Sequence, residues 1–301
     1  MSHIEALDLE RLPEHLIVLG GGYVGLEMAQ AMRRFGSRVT LIARGPQLAP
    51  REDADVAQSI LELFRDEGIE VLLGAEARDV KGVSGERVHL QIECQHGTRT
   101  VEGTDILVAV GRTPNTEGIG LDRAGIKVTE SGHIQVNDRL ETTAANVWAM
   151  GECAGSPYFT HVSYDDFRIV HENLNGGNRS TRDRLIPYCV FIDPPLARVG
   201  LSESDARAAN IAYRVVSLPM QAVLKTRTLS EPRGFMKALI DPDNNRILGF
   251  TALGPEAGEL MATMQVAMLA RQPYTTLKDA VFTHPTMTEG LNFLFDSAPS
   301  A

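Results

Sequence analysis

A glycine-rich segment near the N-terminus has the residue spacing of a phosphate-binding loop. Gly20, Gly22 and Gly25 form a GxGxxG pattern that follows the apolar run 16–19 and opens a helical pattern closed by Gly36. In such a loop the first glycine permits a tight turn, the second lets the backbone approach a pyrophosphate, and the third lets the helix pack against the strand. The helix N-terminus adds free N–H groups and a partial positive charge. The strand–loop–helix setting therefore predicts a dinucleotide site rather than an unliganded turn.

The residue that contacts the ribose is expected about 20 residues after this loop, where NAD-binding domains place an acid. This chain instead has Arg44 after the second predicted strand. An acid would repel a 2′-phosphate, whereas a guanidinium can bind it with two charge-assisted hydrogen bonds. Arg44 therefore favours NADP(H), with NAD(H) as the alternative and a solvated loop arginine as the non-functional interpretation.

The cysteines and histidines predict no metal site. Cys94, Cys153 and Cys189 are too far apart for a CxxC redox pair or a zinc knuckle. Sparse, unpaired cysteines are typical of buried thiols in a reducing compartment. The eight histidines show no HxxxH or HExxH arrangement.

Composition limits the class of protein. At about 150 residues per domain, 301 residues correspond to about two domains, and 43% hydrophobic with 23% charged residues is typical of globular chains. A net charge of -10 argues against nucleic-acid and anionic-membrane surfaces, which are bound by basic patches. No apolar run approaches the roughly 18 residues of a membrane helix, and the first residues lack the apolar core of a signal peptide. We therefore expect a soluble, cytoplasmic protein.

The elements that must position the loop alternate between strand and helix, which indicates a parallel α/β unit. An alternating segment at 78–101 then predicts an antiparallel meander, and an apolar strand follows it. The predicted elements of this first part are strands at 16–19, 38–42, 69–73 and 106–110, with helices at 26–35 and about 53–67.

The remainder of the chain has a different pattern. A strand is predicted at 147–150, a helix at 164–174 and a polar linker at 175–181. The last third predicts an α+β region with an antiparallel sheet, in which Met261, Met264 and Met268 form a core or dimer-packing stripe. Its predicted elements are strands at 188–191, 213–218, 235–240 and 247–253, and helices starting at 202 and spanning 256–270.

Four motifs occur in order along the chain: Gly20-x-Gly22-Tyr23-x-Gly25-x-Glu27, Val110-Gly111-Arg112-Thr113-Pro114-Asn115, Ala149-Met150-Gly151-Glu152, and Phe282-Thr283-His284-Pro285-Thr286-x-x-Glu289. In this order they resemble the pyridine nucleotide-disulfide oxidoreductases, the family of glutathione reductase, dihydrolipoamide dehydrogenase and mercuric reductase. The stretches 159–166 and 284–289 look most like the mercuric reductase-like and reactive-chlorine-resistance branches.

The resemblance implies a relay in which NADPH reduces FAD and FAD reduces a cysteine pair. By motif position, Tyr23 would shield the flavin from the nicotinamide pocket, and Glu27 would polarise a lysine of the FAD domain. For Glu27 the alternative is an exposed acid in the first turn of a helix, stabilised by the helix dipole. Gly111 would let the cofactor approach the backbone, and Arg112 would lie near the NADPH phosphates or the domain seam.

Two more residues are implied to contact the flavin. Glu152 stands where most members have an Asp that hydrogen-bonds the ribityl chain, at the end of a predicted strand where ligands bind in α/β sheets. Its side chain is one methylene longer, so its carboxylate reaches differently. Thr160 matches a position that approaches the flavin ring.

His284 and Glu289 match the family's acid/base dyad. In the homodimer that the family forms, the histidine would face the other subunit's dithiol across the interface while the glutamate orients the imidazole. An imidazole titrates near neutrality and can accept and return a thiol proton. Without the motif, a histidine before proline would be interpreted as a turn residue.

The resemblance also implies a three-part organisation. We expect a Rossmann-type α/β NAD(P)-binding domain at 14–114, the C-terminal part of a split FAD-binding domain at 115–184, and an α+β dimerisation domain at 185–301. Family members carry an earlier GxGxxG followed by a CxxxxC pair, and this sequence contains neither. The final residues, 297–301, also lack the vicinal cysteines of mercuric reductase, which disfavours mercury reduction.

Three interpretations are compatible with this pattern. The chain is the C-terminal portion of an NADPH-dependent flavin disulfide oxidoreductase, with a thiol, disulfide or similar small molecule as substrate; or it is a non-catalytic, NADPH-binding, dimerising subunit; or it is one chain of a two-chain flavoenzyme. We favour the first. In each case we expect the isolated chain to bind a nicotinamide dinucleotide, and its FAD binding to be impaired.

Overall fold

The computed structural model describes residues 1–95 and 97–297, which divide into two compact units. The larger unit contains Met1–Val110 and the described residues from Pro187 onward, and the smaller contains Gly111–Ile186. The three-part division at 114 and 184 stays a prediction. Residues 298–301, which belong to the segment predicted to lack vicinal cysteines, lie outside the described residues.

The glycine loop belongs to a four-stranded parallel sheet, as the sequence predicts. The strand order is β3-β2-β1-β7, so β1 lies in the interior and pairs with both β2 and β7. Its residues Leu16 to Val18 are completely buried, because both faces of a parallel sheet are covered. The bounds are β1 His15–Leu19, β2 Arg38–Ala43, β3 Glu70–Leu73 and β7 Asp105–Val108, with helices α1 His3–Leu7, α2 Tyr23–Phe35 and α3 Ala54–Asp66.

The predicted meander is a three-stranded antiparallel sheet between β3 and β7. Val88, Leu90 and Ile92 point to one face and are buried, while the residues between them are more exposed. The strands are β4 Glu76–Val83, β5 Arg87–Cys94 and β6 Gly97–Gly103.

The C-terminal part of the larger unit is built on a five-stranded antiparallel sheet of order β10-β11-β12-β9-β8. The sequence analysis missed β9, because its apolar residues follow a proline pair and form no long alternating run. Met261 and Met264 are buried in α7, which confirms their interpretation as core. The elements are β8 Pro187–Val190, β9 Leu196–Gly200, β10 Arg214–Pro219, β11 Phe235–Ile240 and β12 Ile247–Leu253, with α5 Glu203–Ala208, α6 Leu224–Thr228, α7 Ala257–Leu269, α8 Tyr274–Lys278 and α9 Gly290–Asp296.

The smaller unit consists mostly of turns and one helix, α4 Thr160–Leu174. The strand predicted at 147–150 is wrong: within the described residues Trp148 forms only one isolated bridge, to Glu141. A strand requires a continuous ladder of backbone partners, and a short apolar run does not supply them. The segment predicted as a linker is hydrogen-bonded within this unit, since Thr181 N–H donates to the Asp138 carbonyl.

No helix among the described residues is long and apolar enough to cross a membrane.

Candidate dinucleotide site and acid/base pair

Sterics explain two of the three loop glycines. Gly20 has a φ of +121°, and a Cβ there would overlap the Ala109 carbonyl on β7's C-terminal side. A Cβ on Gly25 would overlap the Gly20 carbonyl oxygen, so the helix can approach the loop only without a side chain. At Gly22 a Cβ would meet nothing within 4 Å. The backbone at Gly22 therefore faces open space, where a phosphate group fits.

The first turn of α2 is suited to an anion. Gly22 is its N-cap, with no side-chain cap hydrogen bond, and the turn contains no acidic residue. The free N–H groups and the helix dipole of such a terminus favour a negative ligand. These features fit the pyrophosphate of a dinucleotide.

Arg44 lies one residue beyond β2, at the same edge of the sheet as the loop. Hydrogen bonds connect this edge to the loop, since Gly20 N–H donates to the Ile42 carbonyl at 2.9 Å and Ala49 N–H donates to the Gly21 carbonyl at 2.8 Å. Arg44 is exposed, and in the described part of the chain it has no hydrogen bond or ion pair. Its guanidinium is therefore available to a ligand at this edge.

Glu27 does not occupy the exposed first turn that the alternative interpretation required. The helix begins at Tyr23, so Glu27 lies in the second turn, half-buried. Its Oε1 accepts the Phe191 N–H at 2.7 Å. Burial raises the pKa of Glu27, and this N–H partly offsets the effect. The alternative is wrong because the segment after β8 packs over this part of α2.

Tyr23 is bound to a residue that the sequence analysis missed. Its hydroxyl donates to Oε1 of Glu52 at 2.6 Å, and its ring stacks on Tyr188 with centroids 5.6 Å apart. Tyr188 also donates to Oε1 of Glu52, at 2.5 Å. Arg198 lies 3.4 Å from the other carboxylate oxygen. Residues more than 130 positions apart thus meet, and no local sequence pattern reports such a contact.

The next residue, Asp53, belongs to a second buried cluster. Lys237, 1% exposed, contacts Asp53 at 3.1 Å, Asp55 at 2.7 Å and Glu203 at 2.9 Å. These acids are close enough together to hold a metal ion, but the Lys237 ammonium group already lies among them and contacts all three. A lysine inside the apolar strand 235–240 was the sequence signal for a buried acidic partner.

Asp53 also accepts hydrogen bonds from the start of α5. The backbone N–H groups of Glu203 and Ser204 each donate to it at 3.0 Å. Burial alone would raise the pKa of Asp53, but these bonds and Lys237 outweigh it and lower the pKa to about 2. Burial likewise opposes the charge of Lys237, yet its acidic partners raise the pKa of the ammonium group.

His284 and Glu289 form the pair that the motif predicts. The imidazole Nδ1 lies 2.7 Å from Oε1 of Glu289, with 60% of the histidine side chain but only 16% of the glutamate side chain exposed. Because a carboxylate is an acceptor, the Nδ1 proton points to Glu289, and in the neutral imidazole Nε2 is then an acceptor. An exposed, oriented base results.

In the smaller unit, Arg112 and Glu152 form an ion pair at 3.0 Å. The guanidinium also lies 5.5 Å from the centroid of the Tyr158 ring. Gly111 has a φ of +142° and open space around its Cβ position, and Thr160 is the exposed first residue of α4. The free oxygen of Glu152 fits a hydroxyl donor such as a ribityl group.

A buried ion pair holds the backbone turn that precedes Glu152. The buried Asp166 accepts the Gly151 N–H at 2.8 Å and pairs with Arg184 at 2.6 Å. Sequence analysis missed both Asp166 and Arg184, since an acid and an arginine separated by 18 residues carry no motif.

The cysteines are unpaired and half-buried, rather than buried as predicted. Burial, with a contribution from Glu27, raises the pKa of Cys189 to about 11. This thiol is therefore protonated at neutral pH and is a poor nucleophile.

Comparison with known proteins identifies the same family along the chain. Residues 1–166 match the pyridine nucleotide-disulphide oxidoreductase family, and residues 186–294 match the dimerisation domain of that family. The chain is 42% identical to the probable pyridine nucleotide-disulfide oxidoreductase RclA of Escherichia coli K12 over 96% of its length, and 37% identical to dihydrolipoyl dehydrogenase of Thermus scotoductus over 94%. It is 34% identical to mercuric reductase of Streptomyces lividans over 93%.

A solved structure agrees with this result. The HOCl-induced flavoprotein disulfide reductase RclA from Escherichia coli superposes with a TM-score of 0.91 at 39% identity, over 99% of this chain and 68% of that chain. The chain spans 65%, 61% and 61% of the lengths of the three curated relatives above. The predicted resemblance and fold class are confirmed: the chain belongs to the pyridine nucleotide-disulphide oxidoreductase family.

Proposed function

We propose that this chain supplies the NADPH-binding and dimerisation parts of an NADPH-dependent flavin disulfide reductase. The observation that carries the proposal is the His284–Glu289 pair, a solvent-facing imidazole held at 2.7 Å by a mostly buried carboxylate. With Nδ1 bound to Glu289, Nε2 can take a proton from a dithiol and return it. In a homodimer of the longer reductase, that dithiol would belong to the other subunit.

The dinucleotide is assigned to the glycine loop. Gly22 and the first turn of α2 bind the pyrophosphate, Arg44 binds the 2′-phosphate of NADPH, and Tyr23 and Glu27 lie on the nicotinamide side. NADH is the alternative cofactor. The open space at Gly22 and the unoccupied guanidinium of Arg44 support this assignment.

FAD is assigned to the smaller unit, where Glu152 and Thr160 face its ribityl chain and ring, Gly111 lets the cofactor approach the backbone, and Arg112 pairs with Glu152. When bound, FAD carries electrons from NADPH to the dithiol. The free carboxylate oxygen of Glu152 supports this assignment. The chain spans 65% of the length of its relative RclA, and we expect residues 1–301 alone to bind FAD weakly.

Dinucleotide titration of the purified chain tests the proposal. NADP⁺ should bind more tightly than NAD⁺, and Arg44→Ala should weaken NADP⁺ binding by roughly 10- to 100-fold, because a hydrogen bond to a charged group contributes about 1.5–3 kcal/mol. NAD⁺ binding should not change. Arg38→Ala, an exposed arginine at the opposite end of β2, is the matched control and should alter neither affinity. Equal affinities for both dinucleotides in the wild-type chain and in Arg44→Ala would contradict the NADPH assignment.

The coding DNA and the flavin spectrum discriminate the other interpretations. An in-frame GxGxxG and CxxxxC upstream of Met1 supports a longer single-chain reductase, and a separate adjacent gene encoding them supports a two-chain enzyme. If neither is found, a non-catalytic NADPH-binding subunit is favoured. A purified chain with stoichiometric flavin absorption would contradict the expected weak FAD binding.

A further inference from the structure

Two tyrosine hydroxyls share one oxygen of a buried carboxylate. Tyr23 and Tyr188 both donate to Oε1 of Glu52, at 2.6 and 2.5 Å, and their rings are stacked. Glu52 is 4% exposed. Such an arrangement satisfies one acceptor with two donors, so either donor can leave without exposing an unpaired buried charge.

Arg198 is the third partner of Glu52 and contacts the carboxylate oxygen that the tyrosines do not use. Its guanidinium contacts Oε2 at 3.4 Å and lies 5.7 Å from the centroid of the Tyr188 ring. Arg198 also contacts Asp205 at 2.6 Å, which fixes it to the C-terminal part of the unit. Tyr188 and Arg198 thus give Glu52 two partners besides Tyr23.

Both hydroxyls remain donors at neutral pH. Burial raises the pKa of Tyr23, and the negative charge of Glu52 raises it further. The same two causes raise the pKa of Tyr188. Neither phenol ionises in the working pH range, so the carboxylate keeps its hydrogen bonds.

The position of Tyr23 connects this cluster to the proposed dinucleotide site. Tyr23 is the first residue of α2, directly after the N-cap Gly22, and therefore lies at the dinucleotide loop. Tyr188 lies on β8, in the C-terminal sheet. The ring of Tyr23 is thus held at the cofactor site by groups from a distant part of the sequence.

We propose that Glu52 is a latch that holds the Tyr23 ring in a closed position, and that Tyr188 and Arg198 keep Glu52 satisfied when Tyr23 moves aside for the nicotinamide. This inference rests on the proposed function, which assigns Tyr23 to the nicotinamide pocket. In this arrangement Glu52, Tyr188 and Arg198 are positioning residues that set how easily NADPH enters.

The latch predicts opposite effects for the same chemical change at the two tyrosines. Tyr23→Phe removes the bond that must break, so NADPH should bind more tightly, by up to roughly 10-fold for one hydrogen bond to a charged group. Tyr188→Phe leaves Tyr23 as the remaining hydroxyl on Glu52, so its release costs more and NADPH should bind a few-fold more weakly.

The experiment is an NADPH fluorescence titration of the wild-type chain, Tyr23→Phe and Tyr188→Phe, with urea unfolding of each. Tyr213→Phe is the matched control, because its hydroxyl contacts another carboxylate, Glu203, at 3.2 Å in the same unit. It should leave affinity unchanged. A purely structural cluster would lower the unfolding midpoint in both variants while leaving NADPH affinity unchanged or shifting it in one direction, which would overturn the latch. If the folded wild-type chain binds no NADPH, the proposed function fails and the latch fails with it.

Discussion

Glu52 and Asp53 are consecutive acids with equal exposure, 4% each, yet their surroundings differ in kind. Glu52 is surrounded by two hydroxyl donors and one guanidinium. Asp53 is bound by a buried ammonium group and the backbone of α5. Both acids connect the N-terminal part of the larger unit to its C-terminal sheet.

The two acids differ in how easily their hydrogen-bond donors can be released. The donors to Asp53 are fixed, whereas one donor to Glu52 can leave. Asp53 has backbone donors, which cannot move without unfolding α5, and a lysine shared with two other acids. Glu52 has side-chain donors, of which one is redundant. Burying two adjacent charges costs folding free energy unless each is paired. Here both are paired, but the partners of Glu52 can move more freely than those of Asp53.

The largest expected effect comes from removing the fixed cation. Lys237→Met leaves Asp53 buried without its ammonium partner and should reduce the free energy of unfolding by about 3–5 kcal/mol, as for a broken buried ion pair. Urea unfolding measures it. Lys278→Met is the control, because the Lys278–Asp296 pair is accessible to solvent, with side chains 35% and 63% exposed. Its loss should cost less than about 1 kcal/mol. Equal losses in the two variants would show that the Lys237 cluster is not the fixed element.

The next effect is a pH dependence located at Asp53. Its pKa is lowered from 3.8 to about 2 in the folded protein, so the stability it contributes is present above pH ~4 and is lost as pH falls toward ~2. The size is about 2 kcal/mol, from 1.36 kcal/mol per pKa unit. Urea unfolding of the wild type and of Asp53→Asn should be measured between these pH values. The difference between their free energies of unfolding should decrease as the pH falls. A pH-independent difference would contradict this assignment.

The smallest effect is expected at the adjustable acid. Glu52→Gln keeps an oxygen that accepts the Tyr23 and Tyr188 hydroxyls, and although its amide faces Arg198, that guanidinium retains Asp205 as a partner. The change should therefore cost about 1.5 kcal/mol of unfolding free energy, the lower value for a hydrogen bond to a charged group. Asp53→Asn at neutral pH should cost more, because its new amide N–H groups face Lys237 and backbone donors. Thermal unfolding of the two variants measures which of them loses more stability. A larger loss in Glu52→Gln than in Asp53→Asn would contradict the prediction.

Patterns short in sequence were predictable. The loop glycines, the alternation of β5 and the exact extents of β11 and β12 follow from local sterics and periodicity. The helix predicted to start at 202 begins with a capping box formed by Ser202 and Asp205. The strand at 147–150 and the missed β9 mark the limit, because strand formation depends on neighbours that a local run does not specify.

The sequence by itself determined where the glycine-rich loop lies and which histidine has an acid five residues away, because both depend on short spacing and residue type. Only the tertiary structure decided which buried acids acquire partners. Glu52 meets Tyr188 across 136 positions and Asp53 meets Lys237 across 184. The free energy of a buried charge depends on groups brought to it by folding, so identical neighbouring charges can differ in environment while looking alike in the sequence.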